Sequence, residues 1–194
     1  MNVAGILQGS ALKNDLTPLG REQATKVANK LANERIDLAF SSPIDRAKQT
    51  AGIILKHHPE TKVKFTDQLI EWDAGRYAGH PAGELHKAWQ ESGLPFGEFQ
   101  PEGGESWYQA GERVVNFIEG IISRCKDNDS TILIVGHGVI FTYLFMWADK
   151  FNPRNSNKEK YDYYHPAHTA VGIIEIGPTG QLISLSLNDT SHLE

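Results

Sequence analysis

The alternation of apolar and polar positions is clearest between Thr131 and Trp147. Residues 131–135, TILIV, form a short β-branched apolar run of the kind buried inside a parallel sheet. Gly136-His137-Gly138 interrupts it, and Val139 to Trp147 resumes an apolar run long enough for a buried helix. Strand, tight turn and helix make the half-unit of an open α/β sheet, whose ligand crevice lies at the carboxyl ends of the strands. His137 falls at that place. Its flanking glycines let the backbone approach a ligand closely, and the amides opening the next helix offer an anion site. A plain loop histidine between two turn glycines has the same pattern, because Gly-X-Gly alone is a weak signal.

Periodicity organises the rest of the chain. Met1 to Asn14 has no period and reads as an irregular loop. Thr17 caps a helix with Pro18 as its first residue, and Leu19, Ala24, Val27, Ala28 and Leu31 keep helical spacing to near Glu34. Ile36 to Phe40 reads as a strand, Ser41-Ser42-Pro43 as a turn, and Ile44 to about His57 as a helix. Lys62 to Asp67 is a further strand, and Gln68 to Gly79 a loop. Residues 80–104 contain one helical stretch, Glu84 to Glu91, and otherwise read as a cap or lid over the sheet edge. Glu105 to about Lys126 is a long amphipathic helix that reaches the strand at Thr131 through Asp127-Asn128-Asp129. Lys150 to His165 reads as a polar surface loop. Ala167 to Ile176 and Gln181 to Leu187 alternate on either side of Gly177-Pro-Thr-Gly180, a hairpin signal. The pattern predicts one α/β domain over residues 1–194: a three-layer sandwich, with a mostly parallel sheet, helices on both faces and a C-terminal antiparallel hairpin.

Composition narrows the chemistry. At 194 residues with a net charge of −5, the chain is not expected to bind nucleic acid or an anionic membrane. An anionic ligand needs a local basic cluster against that sign. Cys125 is the single cysteine, so no internal disulfide forms, in keeping with a cytoplasmic location. No apolar run is long enough to span a bilayer, and the first residues lack the pattern of a signal peptide. There is no metal-ligand spacing. Cys125 and the histidines other than His137 carry no usable motif, and His57, His58, His80, His86, His165 and His192 read as surface residues.

Two further positions stand out. Arg46 lies in the first turn of its helix, where a cation opposes the helix dipole, so it is a candidate to face a bound anion. Glu71 and Asp73 follow a strand end beside Trp72 and Tyr77. A carboxyl sheltered by aromatic rings has a raised pKa and serves as an acid.

Taken together, LTPLGREQA (16–24), SSPIDRAKQTA (41–51), EWDAGRYAG (71–79), PEGGES (101–106) leading to IVGHG (134–138), and NDTSHL (188–193) resemble the histidine phosphatase superfamily, the phosphoglycerate mutase-like fold. The resemblance spans nearly the whole chain in the family's order. It implies phosphomonoester hydrolysis through a phosphohistidine, with no cofactor or metal, and a small phosphorylated substrate or inorganic phosphate as partner. Arg46 matches a phosphate-binding arginine, whose fork suits a phosphoryl group. His137 matches the histidine that binds the phosphate and stabilises its transition-state charge. Glu71 matches the acid that protonates the leaving oxygen, with Asp73 as the alternative. Asn2, Gln8 and Gly9 resemble residues lining the phosphate pocket, and His168 a position near it.

One departure is large. The family opens on a strand ending in Arg-His-Gly, whose histidine is the nucleophile, and no Arg-His-Gly occurs in this sequence. The expectation is an N-terminus truncated before that motif, a missing interior strand, and a chain inactive as given. Loss of a covalent nucleophile costs on the order of 10⁶ in rate. A noncatalytic phosphate- or phosphoprotein-binding protein and phosphoglycerate mutase-type phosphoryl transfer stay open as alternatives. The in-frame DNA before codon 1 discriminates: an apolar strand followed by Arg-His-Gly favours the phosphatase.

Overall fold

The structure is a computed structural model that describes residues 5–10, 15–125 and 128–194. Helix α1 (Pro18–Leu31) starts as its sequence predicts: Thr17 Oγ1 accepts from Gly20 N at 3.0 Å, and proline occupies the first turn. Strand β1 (Leu38–Ser41) then enters the sheet, followed by α2 (Asp45–Ile54) and β2 (Val63–Phe65). Helices α3 (Ala82–Ser92) and α4 (Trp107–Cys125) precede β3 (Ile132–Val135) and α5 (Gly138–Ala148). Ser106 and Gln109 form a capping box at the head of α4. Gln109 N donates to Ser106 Oγ at 3.2 Å, and Ser106 N to Gln109 Oε1 at 2.7 Å.

The sheet order is β2-β1-β3, all parallel. Its two faces bury different helices. Leu133 and Val135 of β3 pack with Val27 and Ala28 of α1 and Ile54 of α2. Ile132 and Ile134 pack with Val114, Ile118 and Ile121 of α4 and with Ile140 and Leu144 of α5. The period-2 alternation of one apolar strand thus supplies both helix layers. Strands β4 (Val171–Ile176) and β5 (Leu182–Asp189) form the predicted antiparallel hairpin as a separate two-stranded sheet. Among the described residues, β3 pairs with β1 alone, so this apolar strand is half-buried rather than sealed on every side. No helix among the described residues is long and apolar enough to cross a membrane.

The structure corrects one stretch. Lys150 to His165 is not a plain surface loop: it holds a 3-10 turn at Pro153–Asn155 and helix α6 (Lys158–Tyr164). Asn157 Oδ1 caps α6 through Lys160 N at 2.9 Å. Tyr164 is buried against Trp107, Phe145 and Met146, and its hydroxyl donates to Asp149 at 2.5 Å. Polar composition masks this helix in the sequence, because only one face is covered. His165, read as a surface residue, is half-buried at its end.

Candidate active site

Two strand ends and one loop build the site. Ser42 N donates to Val135 O at 2.9 Å, so the corner after β1 and the corner after β3 lie side by side. The first corner carries Ser42 and Arg46, and the second carries His137. Ser42 is fully buried; its Oγ accepts from Ile44 N at 3.2 Å and meets His137 Nε2 at 2.8 Å. His137 is 7% exposed. Burial pulls its imidazole down to about 3, and the charges of Arg46 and Arg113 push the same way, so the ring is neutral at physiological pH.

Arg46 is half-buried and poorly satisfied. Nη2 donates to Gly9 O at 3.4 Å, and Nη1 has no partner among the described residues and no solvent. Burial lowers its pKa while the nearby Glu71 opposes that shift. A buried donor without a partner costs about 1–3 kcal/mol, which an oxyanion would relieve.

Glu71 approaches from the loop after β2. Its Oε1 accepts from Trp72 N at 2.9 Å and its Oε2 from Val139 N at 3.5 Å. The carboxyl therefore caps the head of α5, where His137 itself makes no capping bond. Burial raises its pKa, against the pull of Trp72 N–H, Arg46 and the amides of Val139 and Ile140. A neutral carboxylic acid beside a cation-lined crevice can protonate a departing oxygen.

The loop bearing Glu71 is clamped from beneath. Arg113 of α4 donates through Nη1 to Gln68 O at 2.8 Å and Ile70 O at 3.1 Å, and through Nη2 to Glu105 Oε1 at 2.6 Å. Glu105 Oε1 also accepts from Asp73 N at 3.2 Å, and Trp72 Nε1 donates to Glu105 O at 2.6 Å. The loops 71–79 and 101–106 touch backbone to backbone: a Cβ on Gly75 would lie 2.2 Å from Glu102 O, and one on Gly104 2.4 Å from Asp73 O. This is the physical reason for Gly75 in EWDAGRYAG and Gly104 in PEGGES.

The structure thus brings Arg46, Glu71 and His137 together from three distant stretches. Gly9 joins them through its carbonyl. Gln8 is half-buried on the same segment, which pairs with residues 79–82 through Leu7 N to His80 O at 2.9 Å. Asn2 lies outside the described residues. Asp73 Oδ1 is engaged by Gly75 N at 2.9 Å. His168 is exposed ahead of β4. Sequence alone assigns no role to Ser42, Glu105, Arg113 or His165. For His165 a signal existed: Asn157 as a cap, then Tyr161, Tyr164 and His165 at helical spacing. For Arg113 there was none, since an arginine on an amphipathic helix is usually solvated.

Comparison with known proteins agrees with this architecture. The profile of the histidine phosphatase superfamily (branch 1) matches residues 1–189. The mitochondrial serine/threonine-protein phosphatase Pgam5 of Caenorhabditis elegans is 30% identical over 185 residues, covering 92% of this chain and 57% of its own length. Fructose-2,6-bisphosphatase TIGAR of Xenopus tropicalis is 32% identical over 121 residues, covering 61% of this chain and 44% of its own. The chain spans about half the length of these curated relatives. Among solved structures, phosphoserine phosphatase from Entamoeba histolytica in complex with 3-phosphoglyceric acid superposes with a TM-score of 0.78 at 25% identity, over 100% of this chain and 93% of that one. The chain belongs to the histidine phosphatase superfamily.

Proposed function

We propose that the crevice of Arg46, His137 and Glu71 binds the phosphoryl group of a small phosphomonoester, and that the reaction served by this fold is its hydrolysis. The single observation that carries this reading is the state of Arg46: a half-buried side chain with one long bond to Gly9 O and a sealed Nη1 that has no partner among the described residues. Arg46 clamps the phosphoryl oxygens. Neutral His137 donates a hydrogen bond to them. Glu71, whose pKa burial raises, gives its proton to the leaving oxygen and then, as carboxylate, helps activate water. Gln8 and Gly9 line the pocket. Relatives named for phosphoserine, fructose-2,6-bisphosphate and phosphoprotein substrates support a phosphomonoester class.

The attacking imidazole is not among these residues, since the sequence holds no Arg-His-Gly. Our reading is that residues 1–194 bind phosphate without turning over. A pseudoenzyme, a phosphate- or phosphoprotein-binding protein whose role involves no hydrolysis at all, is the second reading, favoured by that same absence, and a mutase-like relative keeps phosphoryl transfer between substrates as a third.

Titration with inorganic phosphate and orthovanadate tests the crevice. Arg46→Ala is expected to weaken binding at least about thirtyfold, in line with loss of a charge-assisted bidentate contact, and Arg76→Ala to leave it unchanged. Arg76 is exposed and paired with Glu102 at 3.0 Å. Equal effects would assign the wrong arginine. Aryl phosphate turnover or a trapped phosphohistidine in the 194-residue chain would overturn the account of the nucleophile; a chain extended by an Arg-His-Gly strand should show both.

A further inference from the structure

His165 lies against the head of α5 with one nitrogen committed and one free. Its Nδ1 lies 2.8 Å from Thr142 Oγ1, and Thr142 Oγ1 donates its own hydrogen to Gly138 O at 2.8 Å. A hydroxyl has one hydrogen, so toward His165 it acts as acceptor. With that hydrogen directed to Gly138 O, Nδ1 carries the proton and Nε2 presents a lone pair. Nε2 has no partner among the described residues and is not sealed from solvent.

The ring is held from two sides. Tyr161 stacks on it with centroids 5.2 Å apart and planes at 19°. On another side it lies over Gly138, where a Cβ would stand 2.8 Å from His165 Cε1 and 3.1 Å from Nε2. Gly138 directly follows His137 and directly precedes Val139, whose N–H reaches Glu71. The free nitrogen is thus placed over the first turn of α5, which His137 precedes and whose Val139 amide reaches Glu71. Burial, with the charge of His168, holds the imidazole below its ordinary value against the opposing pull of Asp162, so it stays neutral and accepting.

We propose that His165 selects the leaving group: its Nε2 accepts a hydrogen bond from a hydroxyl or ammonium group carried close to the ester oxygen of a small phosphomonoester. The substrate class is then an alkyl phosphate bearing a neighbouring donor, rather than a bare alkyl or aryl phosphate. This rests on the reading of the crevice given above. Tyr161 and Thr142 act as positioning residues that fix the ring and its tautomer.

Equilibrium binding to the 194-residue chain compares glycerol 3-phosphate with propyl phosphate, a pair of similar size that differs in hydroxyls, with inorganic phosphate as reference. Glycerol 3-phosphate should bind about five- to tenfold more tightly than propyl phosphate, the range of one hydrogen bond. His165→Phe should bring that ratio close to one. Thr142→Val, which frees the tautomer, should lower it in part. In the unsubstituted protein, ¹⁵N NMR should find His165 protonated on Nδ1. If phosphate binds and the ratio is already near one, or survives His165→Phe, the role of His165 is wrong while the crevice stands. A proton found on Nε2 overturns it independently of either variant. If inorganic phosphate itself fails to bind the unsubstituted chain, the crevice reading falls and this one with it.

Discussion

Two half-buried arginines sit on either side of Glu71 and do opposite things. Arg113 is satisfied: its guanidinium reaches the carboxylate of Glu105 and the carbonyls of Gln68 and Ile70, with a longer contact to Asp67 O at 3.4 Å. Arg46 is starved, with one long bond and one sealed nitrogen. The same side chain is structural where its donors are all used and a binding group where they are not. Folding completes Arg113; among the described residues nothing completes Arg46, which leaves it open to an added acceptor.

The largest effect should come from breaking the satisfied side. Arg113→Ala leaves Glu105 and several carbonyls without a partner. With 16% and 20% side-chain exposure for the pair, a loss of about 3 kcal/mol is expected, at the low end for a buried ion pair. Urea denaturation reads it directly, and a loss under about 1 kcal/mol would make the clamp dispensable.

His137 feels both arginines, and its titration is the second test. Unfolded, the ring titrates near 6.5; folded, near 3. Between those values the unfolded chain binds more protons, so stability rises with pH across that window and is lost as pH falls through it. The contribution lost between pH 7 and pH 5 is about 2 kcal/mol. His137→Gln should flatten the denaturation midpoint over that range, and an unchanged slope would place the acid sensitivity elsewhere.

Phosphate should then separate the arginines by linkage. At ten times Kd it stabilises a binding-competent fold by about 1.4 kcal/mol. That gain should vanish in Arg46→Met and persist in a folded Glu105→Gln protein. The smallest effect is the baseline of Arg46→Met itself. Removing a poorly solvated cation should change ligand-free stability by no more than about 1 kcal/mol, and toward greater stability. A large destabilisation there would show Arg46 to be a second structural clamp.

Much of this was legible in the chain. The run TILIV fixed a strand because two opposite faces are both apolar, and Thr17-Pro18 fixed a helix start through donors that only a cap can satisfy. Gly177 to Gly180 marked the hairpin for similarly local reasons. Local backbone chemistry is written in neighbouring residues, so it can be read without coordinates. Candidate site residues were legible in a weaker sense: Arg46, Glu71 and His137 stood out against their own elements, but nothing in their spacing said that they meet.

What the tertiary structure decided is who satisfies whom. Whether an arginine is a clamp or an open hand depends on carbonyls more than forty residues away, as with Arg113 and Gln68. Whether His165 is a surface residue or a poised acceptor depends on Thr142 and Gly138, brought near by the packing of α6 on α5. Periodicity records which face is apolar. It does not record the hydrogen-bond partners of a polar group, because those are set only when distant segments close around it.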